Sequence, residues 1–297
     1  MEKIKIITDS CADLSAEQLE KYGIDYAKMC TVLNGQSEEA LLTWSRMEQH
    51  NFFQKMREGR RFTTAQVPVG EFIRVFDLYL KEGYDIIYVA CSSKQSGSVN
   101  TGKVVAKKMM ENYPGRQIEC IDSLNASIGE GMLAIEGSKL VEMGYKFDVV
   151  TKKIYDLRKK VNEYATVHSL SYLQRAGRVK ATTAFLGNLM GVKPILISDA
   201  NGVQTPIKKV KGRDASLTEI IHLMKEAIRD PEEQTIYLQH ADCSPQEVDK
   251  LATRIREEIP CKGVEIGSFG PILGASVGPD AIGIWAFGEE VTYTVQE

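Results

Sequence analysis

No two of the six cysteines in this 297-residue sequence stand in a C-x-x-C pair. Cys11, Cys30, Cys91, Cys120, Cys243 and Cys261 are scattered, most of them in or beside apolar strand-like runs. That pattern reads as buried free thiols in a reducing compartment and not as a disulfide framework. His50, His168, His222 and His240 are equally dispersed, without metal-ligand spacing to one another or to a cysteine, so neither a metal nor another cofactor is expected. No apolar run approaches the roughly 18 residues of a membrane span, and the apolar stretch near the start is too short for a signal peptide and meets Asp9 at once. The expectation is a soluble cytoplasmic protein with no stable membrane insertion. Neither sign of charge dominates: Lys+Arg 37 against Asp+Glu 40 gives −3, which excludes nucleic-acid coating by overall basicity. An apolar content of 43% excludes disorder.

What is present is an alternation of strand-like and helix-like segments. In the first half, strands are expected at 3–8, 24–30, 84–91 and 117–122, and helices at 15–22, 45–58, 68–82, 99–112, 128–144 and 147–161. Ser15 followed by Gln18 is a capping-box pattern, and Pro68 near a first turn with Gly83 past the end brackets another helix. Such alternation argues for a parallel sheet covered on both faces. The second half offers strands at 163–169, 192–198, 203–210, 235–241, 262–268 and 281–287, with helices at 214–229 and 245–258. Asn201-Gly202 between two apolar runs signals a hairpin, hence antiparallel pairing. The fold class expected is α/β with two domains: a Rossmann-like α/β/α domain over residues 1–161 and a mixed-sheet α/β (α+β) domain over 162–297.

Two motifs suggest chemistry. Gly97 to Lys103 has the G-x-x-x-x-G-K skeleton of a phosphate-binding loop between a strand and a helix, but Val104 stands where a Mg²⁺-binding hydroxyl belongs. Gly274-Ala275-Ser276-Val277-Gly278 has the G-x-S-x-G form of a nucleophile elbow, yet no histidine follows His240, and the glycines read better as a tight turn between two strands. A nucleotide-dependent transferase and a serine hydrolase are therefore alternative readings.

Hydroxyls gather where first-domain strands are expected to end: Asp9-Ser10, Thr63-Thr64, Ser92 to Ser98, and Asp122-Ser123. Ligands of parallel α/β sheets bind at the carboxyl ends of strands. Neutral hydroxyls there, backed by helix N-terminal N–H groups, suit a carboxylate or phosphate, although any one of them can simply be an N-cap. Charge is uneven as well: from Lys152 to Arg213 there are 13 basic and 3 acidic residues, a local +10 against −13 elsewhere. Such a segment is either a solvated surface or a docking face for an acidic or phosphate-bearing partner.

These same stretches carry a resemblance. ITDSCADLS (7–15), TAQVPVGEF (64–72), SSKQSGS (92–98), IDSLNASIGEG (121–131), HSLSYLQRAGRV (168–179), KPIL with a later glycine and proline (193–206) and GPILGASVGPDAIG (270–283) resemble, in order, the DegV family of bacterial fatty-acid-binding proteins. The resemblance implies two α/β-type domains with one long-chain fatty acid buried between them and no catalysis by this chain. It further implies presentation of the acid to a separate ATP-dependent, dihydroxyacetone-kinase-like fatty-acid kinase subunit that phosphorylates the carboxyl group. Residue by residue, Thr64 and Ser96 match the family's carboxylate-binding threonine and serine. Gln66, Ser93, Gly97 and Ser276 are expected as head-group neighbours, and Lys208, Lys209, Lys211 and Arg213 as candidates for docking the partner. The sequence departs from the pattern at Ala65, Pro68, Ser98 and Asp280, at Lys211 where an arginine is common, and at Ser276, where the family often has histidine. Loss of an imidazolium removes a charge-assisted bond to a carboxylate, so a carrier of another amphiphile, uncoupled from any kinase, is the third reading.

Overall fold

In the computed structural model, which describes residues 2–179 and 191–295, the chain enters on Ile4–Asp9 (β1) and turns through Ala16–Lys21 (α1) into Asp25–Ala27 (β2). The capping box read at Ser15 is formed: its hydroxyl accepts from Gln18 N–H, and the Gln18 side chain reaches back to Ser15 N–H. Cys30–Leu33 (β3), Gln36–Glu39 (β4), Arg46–Arg57 (α2) and Phe62–Ala65 (β5) follow. The chain then alternates regularly through Val69–Lys81 (α3), Asp85–Ala90 (β6), Ser98–Asn112 (α4), Ile118–Asp122 (β7), Ile128–Glu142 (α5) and Phe147–Leu157 (α6). β2, β1, β6 and β7 pair in that order, all parallel. Every residue of β6 is buried, as expected of an inner strand covered on both faces.

The second half runs Val161–Thr166 (β8), Ser171–Ala176 (α7), Val192–Ser198 (β9), Gln204–Lys211 (β10), Arg213–Ala227 (α8), Thr235–His240 (β11), Pro245–Glu258 (α9), Gly263–Ser268 (β12), Pro271–Val277 (α10) and Ile282–Phe287 (β13). Its six strands lie in the order β10-β9-β8-β13-β11-β12, antiparallel except for β11 beside β12. The hairpin read at Asn201-Gly202 joins β9 to β10. Side-chain alternation divides this sheet between two cores. Ile195, Ile282, Ile284 and Ala286 pack with α8 and α9, whereas Leu196, Ala165 and Trp285 join the core shared with the four-stranded sheet.

Three expectations need correction. The strand read at 24–30 is broken in two: Met29 N–H bonds to Ser10 Oγ and Lys28 N–H to Glu71, and β3 leaves the parallel sheet for a small antiparallel one, β4-β3-β5. That sheet has no apolar period to announce it, since all four residues of β4 are exposed. The segment around Ser276 is not a turn between strands but helix α10. Pro271 occupies its first turn, and Gly278 closes it at φ +80. Gly274 permits close approach to the Phe53 ring on α2. Helix α7 has no counterpart in the sequence reading; it is six residues long and ends on Gly177 at φ +67.

Candidate functional site

The carboxyl-terminal ends of β1, β6 and β7 open towards the inward face of the six-stranded sheet, and a cavity lies between them. One wall comes from loops: Cys11 after β1, Gln95, Ser96 and Gly97 after β6, and Ala126 and Ser127 after β7. The opposite wall is sheet: Glu163, Ala165 and Val167 along β8 and just beyond it, Leu196 on β9 and Trp285 on β13. Thr64 on β5 and Ile272, Leu273 and Ser276 on α10 close the side. The cavity volume is about 140 Å³. A water requires ~10–15 Å³ on this measure, so the cavity is far larger than a single-water void.

Hydrogen bonds hold the walls together. Gly202 at the β9–β10 turn approaches so closely that its carbonyl accepts from Ser92 Oγ at 2.7 Å and Gln95 Nε2 at 3.3 Å. Its φ is +79, and a Cβ would strike the Ser92 hydroxyl and the Leu124 backbone. Trp285 Nε1 donates to Asn125 Oδ1. Asp13 accepts from Ser127 Oγ at 2.6 Å and from Gly270 N–H at 2.8 Å, which fixes the start of α10 over the loops. Burial pushes the Asp13 carboxyl up to about 7, against the pull of those two hydrogen bonds.

Of the residues read from the sequence, Thr64, Gln66, Ser96, Gly97 and Ser276 all line this cavity. Ser96 sits in a small hydroxyl network. Val67 N–H donates to Ser98 Oγ, Ser98 N–H donates to Ser96 Oγ, and the two hydroxyl oxygens are 2.9 Å apart. If the Ser98 proton points at Ser96, both lone pairs of Ser96 are occupied and its own proton is left for a ligand. Gln66 donates to Thr101 Oγ1 at 2.8 Å, and its amide oxygen lies over Gly97, where a Cβ would displace it. Ser276 is differently placed: its hydroxyl donates within α10 to the Ile272 carbonyl at 3.2 Å. Ser93 is absent from the cavity lining, and its N–H bonds to Asp122 Oδ1.

The two chemical motifs dissolve on inspection. Residues 98–103 already belong to α4, so no loop remains to wrap phosphates, and Gly102 serves close packing against Tyr88 and Phe72. Ser276 stands within a helix rather than on a strand-to-helix elbow.

Sequence reasoning missed several neighbours. The cavity adjoins a mouth of about 470 Å³ lined by Arg60, Arg61, Arg175 and Arg178, and the two share Thr64, Arg178 and Ser276. Arg178 Nε donates to the Gln95 carbonyl at 2.8 Å. By contrast, the four docking candidates line neither space. Lys208 pairs with Glu219 at 2.8 Å, Arg213 makes a two-pronged bond to Glu247, and Lys209 and Lys211 lie on the edge strand β10. Part of the basic segment 152–213, residues 180–190, lies outside the described residues.

Scattered in sequence, Cys11, Cys91 and Glu130 meet in space, their ligand atoms within 4.8 Å of one another. Burial first, and neighbouring acidic groups second, push the Glu130 carboxyl well up. Burial raises the Cys11 thiol too, and Cys91 is pushed up to about 11. Metal ligation needs these groups deprotonated, and their surroundings favour the protonated forms.

The family model described as an uncharacterised protein of the DegV family matches residues 3–289. A DegV domain-containing protein of Clostridium perfringens is 31% identical over 290 residues, covering 97% of this chain and 99% of its own. Among solved structures, a DegV lipid-binding protein from Thermotoga maritima superposes with a TM-score of 0.85 at 27% identity, covering 98% of this chain and all (100%) of its own. DegV of Bacillus subtilis, described as a fatty-acid-binding protein, gives 0.83 at 26% identity over 97% and 100% of the two chains. With its cavity between a parallel-sheet edge and a mixed sheet, and a match running through both, this chain belongs to the DegV family.

Proposed function

We propose that the chain is a non-catalytic carrier that binds a long-chain fatty acid in this cavity, between domains spanning 1–161 and 162–297, with its carboxylate held by Thr64 and Ser96. The observation that carries the reading is the arrangement at Ser96: when Ser98 donates to it, its lone pairs are taken by protein donors and its own proton is left for a ligand in a cavity that also has apolar walls from Ala165, Val167, Leu196, Ile272 and Leu273. A carboxylate removed from water needs such donors, because leaving it unbonded costs several kcal/mol. The acyl tail needs only apolar walls, and each buried CH₂ contributes about 0.8 kcal/mol. The Bacillus subtilis and Thermotoga maritima relatives, described as fatty-acid- and lipid-binding, support the ligand class.

The mouth lies at the head-group end, and its four arginines favour the approach of phosphate groups. This supports presentation of the carboxylate to an ATP-dependent kinase subunit in the cytoplasm, with Lys208, Lys209, Lys211 and Arg213 a more distant part of the docking face. The test is to load the protein with oleate, add a DegV-partner kinase and ATP-Mg²⁺, and assay acyl phosphate by hydroxylamine trapping. Formation that falls when Arg60 and Arg61 are replaced by alanine, with oleate binding retained, supports the coupling. Tight oleate binding without any acyl phosphate leaves a carrier uncoupled from a kinase.

A further inference from the structure

The sheet wall of the cavity contains a charge that an all-apolar tail would not want. Glu163 is 6% exposed and Gln204 7%, and both line the cavity. They belong to one transverse row of the six-stranded sheet. Trp285 on β13 pairs with Glu163 on β8, and Ser198 on β9 pairs with Gln204 on β10. The row is tied by Ser198 Oγ donating to Glu163 Oε2 at 2.6 Å and Gln204 Nε2 donating to Glu163 Oε1 at 2.9 Å.

Glu163, Ala165 and Val167 alternate onto the same face and all line the cavity. At about 3.3 Å per residue, the step from Val167 to Glu163 is roughly 13 Å along the strand direction. Val167 is the end that leads into α7, whose Tyr172 and Arg175 line the arginine mouth. Glu163 therefore lies towards the end of β8 away from α7, and a chain that fills the cavity passes over it. Among the described residues, the carboxylate takes the Ser198 hydroxyl, the Gln204 amide and, more weakly, the Ser198 backbone N–H, whereas an ionised carboxylate offers about four acceptor sites. Gln204 spends one of its two amide N–H groups on Glu163. A methylene chain laid over this row would cover its remaining polar capacity and return nothing for it. A hydroxyl would donate to the carboxylate and accept from the amide.

We propose that Glu163 and Gln204 form a second polar station, which takes a hydroxyl carried on the acyl chain, so that the ligand class is a hydroxy fatty acid. This rests on the fatty-acid reading of the cavity and narrows it. Burial raises the Glu163 carboxyl to about 6, with the Ser198 and Gln204 bonds opposing, so it is mostly ionised at neutral pH and able to accept.

The experiment measures dissociation constants for stearate and for a series of hydroxystearates with the hydroxyl at successive mid-chain carbons. It compares the wild-type protein with Glu163→Leu and Glu163→Gln. The expected result is that at least one hydroxystearate binds wild-type protein about tenfold more tightly than stearate, a difference of one good hydrogen bond to a charged group. Glu163→Leu should abolish or reverse that preference, and Glu163→Gln, which keeps an acceptor of the same shape, should retain part of it. If no hydroxystearate is preferred by the wild-type protein, or if Glu163→Leu preserves the preference, the station is refuted while the fatty-acid reading stands. If neither stearate nor any hydroxystearate binds at micromolar concentration, both fall. The wild-type series decides the matter even if the leucine variant fails to fold.

Discussion

The two walls of the cavity are built by opposite means. The loop wall presents hydroxyls and backbone N–H groups at the ends of parallel strands, where chain reversals free polar groups to face a ligand. The sheet wall presents side chains from the middle of strands whose backbone is already paired, so any polarity there resides in the side chain alone. Ser96 belongs to the first kind and Glu163 to the second. Under the proposed carrier role, the contrast teaches where specificity sits: the loops would recognise the head group, and the strand interiors would grade the chain.

The largest expected disturbance is Gly202→Val, which drives a branched side chain at φ +79 into Ser92 and so forces the walls apart. It should cost on the order of 2–4 kcal/mol of stability in a urea melt; a loss below half a kcal/mol would show that the walls are not locked at this turn. Next comes the loop wall itself. Thr64→Ala and Ser96→Ala should each weaken acid binding by about 0.5–3 kcal/mol without unfolding the protein. Unchanged affinity in the double variant, read by fluorescent fatty-acid displacement, would put the head group elsewhere.

A smaller effect concerns Asp13, which ties α10 to the loop wall. Its folded value of about 7 lies above the ordinary 3.8, so the folded state holds a proton that the unfolded state has released. Its contribution to stability is fully present below about pH 4 and is lost as pH rises to about 7. Asp13→Asn, whose oxygen can still accept from Gly270 N–H while its amide donates to Ser127 Oγ, should flatten the fall in stability between pH 5 and 7.5; a pH dependence in urea melts unchanged from wild type would contradict this. The smallest is Ser276→Ala. Because that hydroxyl donates to the Ile272 carbonyl, the variant should bind fatty acid within about twofold of wild type.

The same contrast governs what the sequence disclosed. Thr64, Ser96 and Gly97 are legible as cavity-lining residues because clustered hydroxyls and glycines interrupt the apolar rhythm at strand ends. The parallel sheet and the β9–β10 hairpin were legible for the same reason, from apolar runs and the Asn201-Gly202 signal. Glu163 and Gln204 were hidden, since a lone acid and amide in strands at 161–166 and 204–211 look like ordinary solvent-facing positions until the third dimension covers them. Arg60 and Arg61 come from a charged stretch far from the basic segment, and only folding places them beside Arg175 and Arg178. Helix α10 is hidden in the sequence because three glycines and a proline in nine residues, 270–278, suggest a turn. Here Pro271 starts a helix, Gly274 clears the Phe53 ring and Gly278 ends the helix.

The most direct test of the account is to identify what the protein carries. Purified without added lipid, denatured and extracted into organic solvent, it should release a long-chain acid in near-equimolar amount by mass spectrometry, and the emptied protein should rebind oleate or palmitate at micromolar concentration or below. A protein that releases no acid and rebinds none would contradict the central claim.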